Sequence, residues 1–275
     1  MNKTAKTKKT ERLYGILIGI TITIIAVIGC IITFSHKAED VITANDTGFI
    51  YSLIFAILGI AATITNTILY FNNEIPSLSQ SDRIKKLTQA ALLTALCYIG
   101  FQYFRFDIPV GTEKTAIHFG NTFCVLAALL LGGTWGGLAG AVGMTIADLT
   151  SSYVTSAPKT FLLKLGIGLI VGFVAHTVFH LNEEHSKTKI LRITVIASVC
   201  GMAFNVVADP IVGYFYKKYL FGIEQDMAAI LAKISAATTL VNAATSVVLA
   251  VLLYTALRPA LMSANLFLPA GQKQK

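Results

Sequence analysis

Ionisable and amide side chains occur within apolar blocks of this sequence, where they are costly to bury. Asp148, Lys164, Asp209 and Lys233 each lie inside such a block, and His118 lies at the edge of another. Charged groups at membrane depth usually serve a ligand, an ion path or a partner charge. Together with three asparagines, they form the candidate ligand-binding set: His118, Asn121, Asp148, Lys164, Asn205, Asp209, Lys233 and Asn242.

The elements that must position these residues are predicted to be membrane-spanning helices. Of the 275 residues, 55% are hydrophobic and only 13% are charged, whereas soluble domains carry about 25% charged residues. Apolar blocks of roughly 18–25 residues suit helices that cross the bilayer, since backbone groups in lipid must bond internally. We predict an all-α integral membrane protein with eight spans at about 13–34, 49–71, 87–104, 116–133, 135–152, 158–181, 190–216 and 227–257.

The distribution of basic residues predicts the orientation of these spans. With the N-terminus in the cytoplasm and eight alternating spans, fourteen Lys and Arg residues fall in cytoplasmic segments and six in outer segments. Cytoplasmic loops carry the excess of basic residues in membrane proteins. We therefore predict a multi-pass protein of the cell membrane with both termini cytoplasmic. The same rule explains the net charge of +8, and no phosphate loop or basic–aromatic interleaving indicates nucleic-acid binding.

This orientation places most of the buried polar residues in the outer half of the membrane. His118, Asn121, Asp148 and Asp209 fall towards the outer ends of their spans, and Lys164 lies about two turns below the outer end of its own. Such clustering favours a polar pocket that opens to the outside. The alternative is structural ion pairing, such as Asp148 with Lys164, or snorkelling of Lys233 to the interface.

Several glycines and prolines predict local helix geometry. Only Gly132-Gly133-Thr134 separates two of the blocks, so we expect a tight helical hairpin there. Pro158 suits the first turn of its helix, where the missing N–H costs nothing. Pro210 directly follows Asp209 and is expected to kink its helix. Overlapping Gly-x-x-x-Gly patterns around Gly136 and at Gly168 predict close helix packing.

Other chemical signals in the sequence are weak. The four cysteines, Cys30, Cys97, Cys124 and Cys200, lie in apolar blocks without C-x-x-C spacing and are expected to be buried apolar side chains. Val27–Cys30 loosely resembles a lipoprotein cleavage box, but apolar residues continue after it. His176 and His180 share a helix face without a metalloprotease motif. We expect no metal, no cofactor and no catalytic constellation, since the sequence has no nucleophile elbow or Walker motif.

The stretch from Lys86 to about His180 resembles the substrate-binding S components of energy-coupling factor (ECF) vitamin transporters. Three groups of residues carry the resemblance. They are Leu87–Ala95 with His118-Phe119-Gly120-Asn121, the glycine-rich Leu131–Gly137, and Asp148-Leu149 with Ala157–Lys164. The six spans from Leu87 onward match the family core, and the first two spans have no counterpart in it. The resemblance implies a six-helix S-component-like core at 81–275, preceded by a two-helix membrane extension and polar linker at 1–80.

The family implies a function and partners. An S component binds a vitamin or vitamin precursor from outside, in a pocket near the outer surface. It then joins a membrane scaffold subunit and two cytoplasmic ATPases. The family contacts its scaffold through an Ala-x-x-x-Ala patch on the first core helix, which Ala91 and Ala95 match here. Two other classes stay open: an ion-coupled secondary transporter, which usually shows inverted repeats, and an intramembrane enzyme using Asp148 or Asp209.

Overall fold

The computed structural model describes residues 13–26, 28, 52, 59, 63, 80–110, 113–183 and 185–268. The chain divides into two compact units, Met1–Ser77 with Lys273–Lys275, and Leu78–Gln272. Cys30 and most of the predicted span 49–71 lie outside the described residues. The domain boundary at residue 80 and the count of eight spans stay predictions.

The first unit contains helix α1, Leu13–Ala26, which packs closely through small residues. A methyl group added at Gly19 would collide with Thr63, and one added at Gly59 would collide with Thr23. The hydroxyls of Thr23 and Thr63 donate to the carbonyls of Gly19 and Gly59 at 2.8 Å. Each Gly-x-x-x-Thr segment therefore offers a flat surface to the other, as small residues do in membrane helix pairs.

Within its described residues, the second unit contains six helices and one β-hairpin. In chain order they are α2 Gln80–Gln102, β1 Arg105–Val110, β2 Glu113–His118, α3 Gly120–Leu131, α4 Gly133–Leu149, α5 Ala157–Gly172, α6 Lys187–Phe215 and α7 Gln225–Ser263. A 3₁₀ turn, Val154–Ser156, precedes α5, and π-helical turns follow α5 at Phe173–Val178 and α6 at Tyr216–Leu220. Helix α3 lies at the centre of the unit and contacts the other five helices.

Three helices of the described residues are long and apolar enough to cross a membrane. They are Val154–Val178, Lys187–Leu220 and Gln225–Ser263, and two shorter helices, Leu13–Ala26 and Gly120–Leu131, are also apolar. The predicted fold class, an all-α membrane protein, is confirmed.

The β-hairpin was not predicted from the sequence. Its strands pair antiparallel, from Arg105 opposite His118 to Val110 opposite Glu113. The block predicted as a helix from residue 116 therefore begins as a strand, and α3 begins only at Gly120. Isoleucine, valine and threonine side chains favour extended backbone, and Pro109 cannot sit within a helix without losing a hydrogen bond. These local preferences explain why residues 105–118 form strands.

The glycine-rich region packs as predicted. Gly132, with φ at 85°, is the only residue between α3 and α4, so the tight helical hairpin is confirmed. A side chain at Gly136 would meet the backbone of Ala128 on α3. One at Gly168 on α5 would meet the backbone of Gly137 on α4. The Gly-x-x-x-Gly patterns therefore bring α4 against both of its neighbours.

Other local predictions have mixed outcomes. Pro158 lies in the first turn of α5, as predicted. Helix α6 continues through Pro210 to Phe215, and the kink at this position stays a prediction. Cys97 and Cys124 are buried, whereas Cys200 is exposed. The expectation of burial is therefore wrong for Cys200, which lies on the outward face of α6.

Candidate functional site

The Asp209 carboxylate joins three helices of the second unit. Its Oδ1 accepts a hydrogen bond from Lys159 Nζ on α5 at 2.9 Å, in an ion pair whose side chains are 14% and 15% exposed. Its Oδ2 accepts from Ser235 at 2.7 Å and from Thr239 at 3.0 Å, both on α7. Because α6 carries Asp209 itself, this acceptor fixes the spacing of α5, α6 and α7.

Lys164 lies on the same helix as Lys159 but in a different environment. It is only 6% exposed, and among the described residues no carboxylate oxygen lies within the 4.0 Å of an ion pair. Asp209 and Asp148 act on it electrostatically from a longer range. The alternative of a direct Asp148–Lys164 ion pair is therefore wrong, whereas structural ion pairing does occur between Lys159 and Asp209. Lys164 keeps donor capacity for another partner.

Four of the predicted site residues carry a buried polar atom without a hydrogen-bond partner in the described part of the chain. The atoms are His118 Nδ1, Asn121 Oδ1, Asp148 Oδ2 and Asn205 Oδ1. An unpaired buried polar group costs about 1–3 kcal/mol, so such atoms are uncommon unless a ligand or water satisfies them. Their types, an imidazole, a carboxyl and two amides, suit a ligand with several hydrogen-bonding groups.

The structure brings most of these residues to one region. Asp148 interacts electrostatically with Lys159 and Lys164, and His118 interacts with Lys164 and Asp209. Asn121 lies in the first turn of α3, three residues after His118. Asn205 lies one turn before Asp209 on α6, so it shares that face of the helix. We refer to His118, Asn121, Asp148, Lys164, Asn205 and Asp209 as the polar cluster.

Asn242 holds the β-hairpin to α7. Its side chain accepts from the backbone N–H of His118 at 2.9 Å and donates to the carbonyl of Ala116 at 2.9 Å. The hydroxyls of Thr115 and Thr238 meet at 3.0 Å. The amide of Asn242 is thus used within the protein, and its role is to position His118 in the polar cluster.

A cationic and aromatic group adjoins the polar cluster where β1 follows α2. The Arg105 guanidinium lies 5.2 Å from the ring centre of Phe101 and 5.3 Å from that of Tyr153. Asp107 accepts from Arg105 at 2.9 Å and from the Tyr153 hydroxyl at 3.0 Å. Burial, followed by the Asp107 carboxylate, raises the pKa of the Tyr153 phenol well above its usual range. Tyr153 therefore remains a neutral donor.

Two of the predicted residues lie outside the polar cluster: Asn242, which binds the β-hairpin, and Lys233. Several residues that contact the cluster were not predicted. Lys233 is exposed on α7. The missed residues are Lys159, Ser235 and Thr239 around Asp209, and Arg105 with Tyr153 beside the hairpin. The six basic residues that the sequence assigns to outer segments include Lys159, which directly follows Pro158 at the start of a helix. Ser235 and Thr239 have the four-residue spacing that places two hydroxyls on one helix face.

The histidine pair does not form a metal site. His176 uses one ring nitrogen on the Ala128 carbonyl at 3.2 Å and the other on Asn182 at 3.1 Å. His180 is exposed and has a positive φ of 49°. Within the described ranges, no group of three or more His, Cys, Asp or Glu side chains is placed to hold a metal ion.

The two alanines of the predicted docking patch are accessible. Ala91 and Ala95 are both exposed on α2, and their four-residue spacing places them on one face. Leu87, on the preceding turn, is 60% exposed. This face of α2 is therefore not covered by the described part of the chain.

Comparison with known proteins assigns the family. A family model described as "ECF-type riboflavin transporter, S component" matches residues 81–259, which is more than half of the chain. No curated protein and no solved structure matches the chain. The matched segment contains every residue of the polar cluster and both alanines of the α2 patch. The chain therefore belongs to the family of ECF transporter S components, the substrate-binding membrane subunits of these transporters.

Proposed function

We propose that this subunit captures a vitamin or vitamin precursor from outside the cell and delivers it for ATP-driven import. The observation that carries the proposal is the set of unpaired buried polar atoms on His118, Asn121, Asp148 and Asn205 in a member of this family. Lys164 adds a buried donor. Asp209 and Asn242 position these groups, and the exposed Lys233 is not included among the ligand contacts.

A flavin is the first ligand to test. The family description names riboflavin, whose ring edge carries alternating hydrogen-bond donors and acceptors beside an apolar ring system. The polar cluster offers both kinds of group, and the rings of Phe101 and Tyr153 lie close by, 5.7 Å apart. Ligand sites of this kind combine apolar walls with a few placed polar groups.

Native mass spectrometry and calorimetry on the purified subunit test this function. We expect one small molecule bound per chain, tight binding without turnover, and the same ligand on a form that lacks residues 1–80. The last expectation follows because the proposed core, 81–275, contains the whole polar cluster. Chemical conversion of the bound molecule would indicate an enzyme instead. Uptake that persists without ATPase partners would indicate an ion-coupled transporter.

We also propose that both termini are cytoplasmic, on the basis of the fourteen-to-six distribution of Lys and Arg. A cysteine at position 5, in a background without other cysteines, is then expected to resist a membrane-impermeant thiol reagent in intact cells. It should react after the membrane is permeabilised. Labelling of this site in intact cells would reverse the proposed orientation.

The exposed face of α2 is the proposed docking surface for a membrane scaffold subunit, which would act with two cytoplasmic ATPases. Replacing Ala91 and Ala95 together with Trp is expected to abolish assembly and uptake, because two helices approach closely only through small side chains. Ligand affinity should stay at the wild-type value, since neither alanine lies in the polar cluster. Pull-down of the partner subunits and calorimetry measure the two effects.

A control for this double variant is Ala244→Trp, which places the same bulk on an exposed position of α7. We expect it to assemble normally. Normal assembly of the double variant would contradict the docking assignment, and equal loss in the Ala244→Trp control would show that any added bulk prevents assembly.

A further inference from the structure

The chain after α7 folds back as a short hook that bonds to α2. Asn265 has a positive φ of 54°, the conformation that often ends helices. The Asn265 N–H donates to the carbonyl of Met262 at 3.2 Å, and the Leu266 N–H donates to that of Leu261 at 2.9 Å. This pair of bonds is a Schellman motif, so the reversal is specified locally. We call Ala264–Leu268 the C-terminal hook.

Two side chains of α2 bind the backbone of the hook. Gln89 Nε2 donates to the carbonyl of Leu266 at 2.6 Å, and Lys85 Nζ donates to that of Asn265 at 3.4 Å. Lys85 and Gln89 are four residues apart and therefore lie on one face of α2. These bonds join the first helix of the core to the end of its last helix.

The hook is also anchored from the α7 side. The Arg258 guanidinium, on a residue that is 9% exposed, lies 5.6 Å from the ring centre of Phe267. Phe267 and Leu261 both pack against the buried apolar core. The hook therefore has a fixed position on α7. Its two carbonyls, of Asn265 and Leu266, are held where the side chains of α2 can donate to them.

Helix geometry places the hook on the side of α2 that faces away from the proposed docking surface. At about 100° per residue, Ala91 and Ala95 point to the side of α2 roughly opposite Gln89. The hook is thus hydrogen-bonded to one side of α2, and the two alanines remain exposed on the other side. The hook lies beyond residue 259, where the family match ends.

We propose that the C-terminal hook braces the cytoplasmic half of α2 and thereby holds its Ala91 and Ala95 face in the position that a scaffold subunit contacts. This inference rests on the proposed docking function. Without the brace, the first turns of α2 open more often, and the alanine face spends less time in the docking position. The polar cluster is not part of the brace, so ligand affinity does not depend on it.

Gln89→Met and Phe267→Ala test the brace from its two sides. Gln89→Met keeps the length of the side chain but removes the donor, and Phe267→Ala removes the anchor. Each is expected to speed amide hydrogen exchange in residues 80–90 about three- to tenfold, the effect of losing one hydrogen bond of typical strength. Assembly with the partner subunits should weaken by a similar factor, and ligand affinity should be unchanged.

The matched control is Ser263→Ala. The Ser263 hydroxyl donates to the Ala260 carbonyl of its own helix, at 2.9 Å, so exchange and assembly should match wild type. Unchanged amide exchange in both test variants would refute the proposal that the hook braces α2, independently of where the scaffold subunit docks. Faster exchange with normal assembly would overturn its role in docking. Failure of the Ala91 and Ala95 double variant to affect assembly would instead refute the docking surface, while the exchange measurement still decides on the brace.

Discussion

The Asp209→Ala variant is expected to lose up to about 3–5 kcal/mol of unfolding free energy, the cost of breaking a fully buried ion pair, because it leaves Lys159 alone in a largely buried site. The carboxylate is the shared acceptor of Lys159, Ser235 and Thr239. Its removal therefore leaves an ammonium and two hydroxyls unpaired between three helices. Thermal denaturation of the ligand-free protein in detergent measures the effect as a lower Tm.

Two further variants distinguish the loss of stability caused by breaking this ion pair from the loss caused by removing any charged side chain. Asp82→Asn removes a carboxylate from the more exposed pair with Lys85, at 3.6 Å, and should change stability by no more than about 1 kcal/mol. A Lys159→Met and Asp209→Leu double variant should recover part of the loss, because an apolar pair leaves no buried charge uncompensated. Wild-type Tm in Asp209→Ala would show that this contact does not support the fold.

The Lys164→Met variant is expected to bind the ligand about 1.5–3 kcal/mol more weakly, the range for hydrogen bonds to charged groups. This corresponds to a dissociation constant roughly tenfold to over a hundredfold higher. Lys164 is buried without a carboxylate at ion-pair distance in the described part of the chain, so its ammonium is available to a carbonyl or anionic group of the ligand. Calorimetry with the identified ligand measures the change.

The substitution Lys164→Arg should restore only part of the affinity, because the planar guanidinium donates in a different geometry. Lys233→Met, which removes an exposed lysine from α7, is the control and should bind as wild type does. Near-normal affinity in Lys164→Met, together with a lower Tm of the ligand-free protein, would show that Lys164 stabilises the fold and does not contact the ligand.

The sequence was sufficient for features that depend on local backbone chemistry or on burial. A tight turn at Gly132 joins α3 and α4, as the short Gly132-Gly133-Thr134 connection predicts, and Pro158 lies in the first turn of α5. The polarity of Asp148 and Lys164 within apolar blocks correctly predicts that both are buried. Such residues are identifiable because few positions in a membrane helix tolerate a charge.

The sequence was not sufficient to predict which side chains bond to each other. Lys159 and Lys164 both lie on α5, which packs beside the helix that carries Asp209. The rotation of α5 relative to α6 decides which lysine reaches the carboxylate, and the sequence does not show this rotation. The hairpin at 105–118 was missed because two short strands of mixed polarity resemble an ordinary connection between spans. The second strand is also bonded to Asn242, which is distant from it in sequence, so this contact could not be read from the local pattern.

The dimensions of α3 have a consequence for biosynthesis. Its 12 residues rise about 18 Å, less than the roughly 30 Å of a hydrocarbon core, and eleven of them are buried. Helix α3 is therefore too short to span the bilayer stably on its own. The one-residue turn at Gly132 also prevents it from inserting separately from α4. We expect α3 and α4 to leave the translocon together as one inserted hairpin, and α3 to reach its final depth only when the later helices surround it. Glycosylation sites engineered before α3 in nascent chains of increasing length would report this order, and stable insertion of α3 alone would contradict it.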